Sequence, residues 1–75
     1  MMVEVYIKNK LIRFPINTIE IKSNVNLIFQ LNSAIEKNKD RNINIIVEEV
    51  LLIQLILYIK NYYRDFFDDC FIYVK

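Results

Sequence analysis

The stretch Glu48-Glu49-Val50-Leu51-Leu52-Ile53-Gln54-Leu55-Ile56-Leu57-Tyr58-Ile59-Lys60-Asn61-Tyr62-Tyr63-Arg64 decides how this chain folds. Two carboxylates open it, where negative charge complements the positive end of a helix dipole, and the spacing predicts one helix over 48–64. On a helical wheel Leu51, Leu52, Leu55, Ile56, Ile59, Tyr62 and Tyr63 form a wide apolar arc. Glu49, Gln54, Lys60, Asn61 and Arg64 mark the opposite side. Val50, Ile53 and Leu57 nevertheless fall inside that polar side. A helix apolar nearly all round is either central to the core or covered on its outer side by something else. The nearly apolar run from Val50 to Ile59 is ten residues long, against the roughly 20 a spanning helix needs. The expectation is a long buried helix and no membrane span.

Immediately upstream, Ile43, Ile45, Ile46 and Val47 form a β-branched segment that predicts a short strand over 43–47. Residues 36–42 read as a solvated loop, with Lys37, Lys39, Asp40 and Arg41 unable to bury a face. Before it, Val25, Leu27, Ile28, Phe29 and Leu31 have helical spacing, and Ser23 and Asn24 suit an N-cap, so a helix is expected at about 24–35. At the start of the chain Val3, Val5 and Ile7 alternate with Glu4, Tyr6 and Lys8, the period of a half-buried strand. Lys8-Asn9-Lys10 follows as a turn, with Asn9 suited to a left-handed conformation. Ile12, Phe14 and Ile16 then share a face of a second strand, in which Pro15 fits only at an edge or near the end. The hairpin therefore spans 3–16. After the long helix, residues 65–75 form a last segment in which Phe71 and Tyr73, or Ile72 and Val74, begin one more element.

At 75 residues the chain has room for one domain, 1–75, and for a single core. Its 10 basic and 9 acidic residues nearly cancel, so charge alone predicts neither nucleic-acid binding nor an acidic tail. The chain has no histidine and no glycine, which removes the commonest general base and every glycine-rich phosphate loop. Ser23, Ser33 and Cys70 have no histidine to activate them. Asp68-Asp69-Cys70 are adjacent, and three adjacent residues rarely converge on one tetrahedral metal site. Glu48 and Glu49 diverge by about 100° on a helix, which disfavours shared acid and base work. Lys8, Lys10 and Arg13 beside Tyr6 and Phe14 form a basic and aromatic cluster of the kind that contacts single strands, but with a near-zero net charge hairpin solvation around core aromatics is the better account. No enzyme, cofactor or metal is expected. One cysteine and a mixed N-terminus without the form of a signal peptide suggest an intracellular setting, cytoplasmic or nuclear.

Hairpin, helix, short third strand and long buried helix, in that order, give an α+β chain that resembles the BTB/POZ fold. The residues resemble the S-phase kinase-associated (Skp) adaptor family of SCF ubiquitin ligases, relatives of elongin C. Val3-Glu4-Val5-Tyr6 through Phe14-Pro15-Ile16 is similar to the family's first hairpin. Val25-Asn26-Leu27-Ile28-Phe29-Gln30-Leu31 is similar to its first helix. Ile45-Ile46-Val47 through Arg64-Asp65 is similar to its third strand and following helix, with Tyr62 and Tyr63 where the family has paired histidines. Phe67-Asp68-Asp69-Cys70-Phe71-Ile72-Tyr73-Val74 is similar to its Trp-Asp-x-x-Phe-x-x-Val box, with Phe67 at the tryptophan.

The resemblance implies a non-catalytic adaptor in ubiquitin-dependent protein catabolism, one that bridges a cullin scaffold to an F-box receptor. Relative to the family, the sequence ends before the C-terminal helices that grip the F-box. The implied module is therefore truncated, keeping part of the cullin-facing surface or self-associating as a homo-oligomer through uncovered apolar surface. Leu55, Tyr58, Phe67 and Phe71 are the expected partner-binding residues. Neither nucleic acid nor membrane is an expected partner. The rival readings are a small viral or parasite protein whose helix, Val47 to Tyr63, lies on a membrane surface or binds a host factor, and a gene remnant without function. Only Lys60 and Arg64 supply the cations an interfacial helix wants.

Overall fold

The computed structural model describes residues 2–38, 42–67 and 70–75. The alternating N-terminal segment forms β1 (Met2–Ile7) and β2 (Lys10–Pro15). The two pair antiparallel, with Val3 opposite Phe14 and Val5 opposite Ile12 on one face, and Glu4 opposite Arg13 on the other. Lys8 and Asn9 make the two-residue turn at φ 50° and 67°, the doubly left-handed geometry whose twist matches flanking strands. Lys8 thus shares the left-handed conformation expected of Asn9 alone. Pro15 ends β2, where its missing N–H breaks no ladder.

A strand not anticipated in the sequence follows at once, β3 (Thr18–Glu20). It lies parallel to β4 (Ile43–Val47), and Asn17 and Asn44 secure the junction. The Asn44 N–H donates to the Asn17 carbonyl (3.0 Å), and the Asn44 carboxamide donates to Thr18 Oγ1 (3.3 Å). The first helix, α1 (Leu27–Lys37), starts and ends later than the expected 24–35. Its cap is Asn26, whose Oδ1 accepts from the Phe29 N–H at 3.0 Å. Ser23 and Asn24 instead belong to a turn that the Gln30 side chain clamps. Gln30 Oε1 accepts from the Lys22 N–H (3.0 Å), and Nε2 donates to the carbonyls of Lys22 (2.9 Å) and Val25 (3.1 Å). Of the expected loop 36–42, residues 39–41 lie outside the described residues.

The long helix is α2 (Glu49–Tyr62), two residues shorter at its C-terminal end than the expected 48–64. Arg64 instead begins a single turn, α3 (Arg64–Phe67). The last segment then completes a full strand, β5 (Cys70–Val74), parallel to β4 from Ile43↔Cys70 to Val47↔Val74. The chain is therefore a small mixed α and β fold with two main helices and two sheets, the hairpin β1-β2 and the parallel sheet β3-β4-β5.

Both helices are crossovers between parallel strands, and both pack on one face of the parallel sheet. Ile43, Ile45 and Val47 point into that face and meet Leu27, Leu31, Ala34 and Ile35 of α1 and Leu55 and Ile59 of α2. The alternate residue Ile46 points to the other face, where Val5 and Phe14 of the hairpin cover it. Strand β4, buried on both sides, thus reads as a continuous run of apolar residues broken only by Asn44, the pattern of a central parallel strand.

Candidate interaction surface

Helix α2 has two unlike sides. Leu55 and Ile59, four residues apart, are fully buried against the sheet. Val50, Ile53 and Leu57, spaced by three and four on the opposite side, are 78%, 72% and 56% exposed. Gln54, Lys60 and Asn61 flank them, also exposed. The long helix is therefore buried on one side only. The wheel reading located these three residues on the polar side, and no described element of the chain covers them.

The expected partner-binding residues fall in different places. Leu55 is wholly enclosed in the core, so it offers nothing to a partner of the folded chain. Tyr58 is half-buried and joins the two helices. Its hydroxyl donates to Asn32 Oδ1 at 3.4 Å, and the Tyr63 hydroxyl donates to the same oxygen at 2.5 Å. The carbonyl's two lone pairs are thereby both used. The Tyr58 ring also lies 4.8 Å from Tyr62 and 6.0 Å from Tyr63, centroid to centroid. Burial, then the neighbouring Tyr58, then Glu36, raise the Tyr63 phenol above its ordinary value. Phe67 ends α3, and its side chain lies outside the described set. Phe71, on β5, is 55% exposed.

The other candidate chemistry disperses. Phe14 turns inward and meets Tyr73 edge-on at 5.1 Å, while Tyr6 is exposed on the hairpin's outer face beside Leu11. Arg13 shares that face and lies 3.8 Å from Glu4. Glu48 stands at the N-cap of α2, where Ser23 Oγ donates to its carboxylate at 3.4 Å. Asp68 and Asp69 lie outside the described residues, and among the described ones no three potential ligands gather to hold a metal. A groove of about 270 Å³ runs between the β2–β3 junction and α1, lined by Ile16, Ile19, Ala34, Lys37 and Asn38 among others. Its volume lies below the usual small-molecule range, and among the described residues Lys37 is its charged wall.

No helix among the described residues is long and apolar enough to cross a membrane. Comparison with family models, with curated proteins and with solved structures finds no match to this chain.

Proposed function

We propose that this chain is a non-catalytic protein-interaction module of the Skp-type POZ kind, and that it docks a cullin-like scaffold through the outer side of α2. The observation that carries the reading is the stripe Val50, Ile53 and Leu57, apolar and exposed on a helix whose inner side already fills the core. An exposed apolar row at helical spacing is what helix-in-groove recognition uses, and its polar flanks resemble the rim of an interface. The order hairpin, helix, strand, helix supports the POZ likeness, as does the resemblance of the segments quoted above. On this reading the module works inside the cell in ubiquitin-dependent protein catabolism, on the scaffold side of the ligase.

Size-exclusion chromatography with light scattering tests it, using the chain alone and mixed with a cullin N-terminal domain from the same organism. Co-elution at a one-to-one mass is expected, and the triple variant Val50→Ser, Ile53→Ser, Leu57→Ser is expected to abolish it while leaving the helical circular dichroism unchanged. Separate elution of the unaltered chain and the cullin domain at micromolar concentration would sink the reading.

A further inference from the structure

We infer that β5 is a self-complementary sheet edge, and that two copies of the chain join antiparallel through it into one continuous six-stranded sheet. The parallel ladder fixes which backbone groups are available. The Lys75 N–H donates to the Val47 carbonyl, so Lys75 faces β4, and by the two-residue repeat of a strand so do Tyr73 and Phe71. Ile72 and Val74 accordingly direct their N–H and C=O away from β4, to an edge on which no described strand pairs.

The sequence of that edge fits its own inverse. With a two-fold axis at Ile72, the two Ile72 residues face each other as a hydrogen-bonded pair and exchange both N–H···O bonds. The adjacent pairs then set Phe71 of each copy opposite Tyr73 of the other in non-hydrogen-bonded positions, where side chains approach most closely. Phe71 and Tyr73 lie on one face of the strand, so each junction is an aromatic cross-strand pair, a stabilising combination. Among the described residues Phe71 has no ring partner within the monomer, and more than half of it is exposed.

The chain's other edges are blunted, and this one is not. β3 has three residues and carries Glu20. The hairpin carries Glu4, Lys10, Arg13 and Pro15. Charge, proline and shortness are the usual guards against edge pairing. Cys70-Phe71-Ile72-Tyr73-Val74 has none of them. The nearest cation, Lys75, is drawn across β4 by its ion pair with Glu20 on the far strand, which takes its charge away from the β5 edge. The two rings, 55% and 40% exposed, would bring roughly 200 Å² per protomer to the seam, well below a standard interface. A seam of that size belongs with weak, concentration-dependent associations.

The test is sedimentation equilibrium of the 75-residue chain, with reductant present, from about 5 to about 500 μM, a range over which a weak dimer forms and dissociates. Ligation at Cys70 gives access to a chain with an N-methyl group on Ile72, which removes the outward donor and leaves the bonds to β4 intact. The unaltered chain is expected to reach dimer mass. The N-methyl-Ile72 chain and Phe71→Lys are each expected to weaken the dimer at least about tenfold, with circular dichroism and unfolding midpoint unchanged at the lowest concentration, where the chains are monomeric. The α2 triple variant is expected to dimerise normally, which keeps this inference separable from the adaptor reading. A chain monomeric at every concentration would overturn the inference and leave the edge to an extended segment of another protein. A dimer insensitive to both β5 changes, or lost in the α2 variant, would overturn it equally.

Discussion

The two faces of the parallel sheet are unequal. On the helix side, ten buried residues from β4, the two helices and Ile21 just after β3 form one cluster. On the hairpin side the buried cluster is Val5, Phe14 and Ile46, with Val3 and Ile7 half-covering it. The hairpin is a separate sheet, so side-chain packing and the short link from Pro15 to Thr18 hold it in place. The difference teaches where the fold's cooperativity lies: the helix face stabilises the whole chain, and the hairpin face stabilises chiefly the hairpin.

The sharpest way to break that picture uses two leucines of one helix. Leu55→Ala empties a fully buried site and should cost about 2–5 kcal/mol. A core of this size supplies about 3–5 kcal/mol in total, so the variant should be largely unfolded at room temperature by circular dichroism. Leu57→Ala, two residues on and exposed, should stay within about 0.5 kcal/mol of the unaltered chain. Equal effects would mean that α2 packs on both sides.

A smaller effect is expected from the hairpin. Phe14→Ala removes the ring that meets Tyr73 and covers Ile46. Because the hairpin can detach while the helix face stays closed, the global unfolding free energy should fall by only about 1–2 kcal/mol, whereas amide protection in β1 and β2 should collapse. Native-state hydrogen exchange separates the two outcomes. Equal loss of protection at Ile45 and at Val5 would show one cooperative unit in place of two.

These asymmetries were partly legible in the residues. Alternation at Val3, Val5 and Ile7 marked the hairpin, β-branching marked β4 with its bounds, and the wheel of residues 48–64 separated Leu55 and Ile59 from Val50, Ile53 and Leu57. β3 was not legible, because three residues are too few to display a period and their partner lies 26 positions away at Asn44. The cap of α1 was misplaced because Ser23, Asn24 and Asn26 all suit capping by residue type, and the choice depends on Gln30 folding the turn at Lys22 to Val25. Among the candidate partner residues, Leu55 and Tyr58 turn inward, Leu55 fully and Tyr58 in part. Their burial follows from the register of α2 on β4, which only the tertiary structure supplies.

The smallest expected effect sharpens the contact between the two helices on the sheet's stronger face. Tyr63→Phe removes the donor to Asn32 and should cost about 1 kcal/mol at neutral pH, the usual net value of such a bond. The pH dependence identifies the cause. Burial and Tyr58 raise the folded pKa above the ordinary value of 10.0. An acid with a raised folded pKa gives stability that is fully present below its unfolded pKa and is lost as pH rises through the folded value. The unaltered chain should therefore lose stability faster than the Phe variant above pH 10.0, and the gap between their urea midpoints should close. A gap that stays constant into the alkaline range would mean that the hydroxyl acts through packing alone, and that the shared Asn32 oxygen contributes nothing to holding α1 on α2.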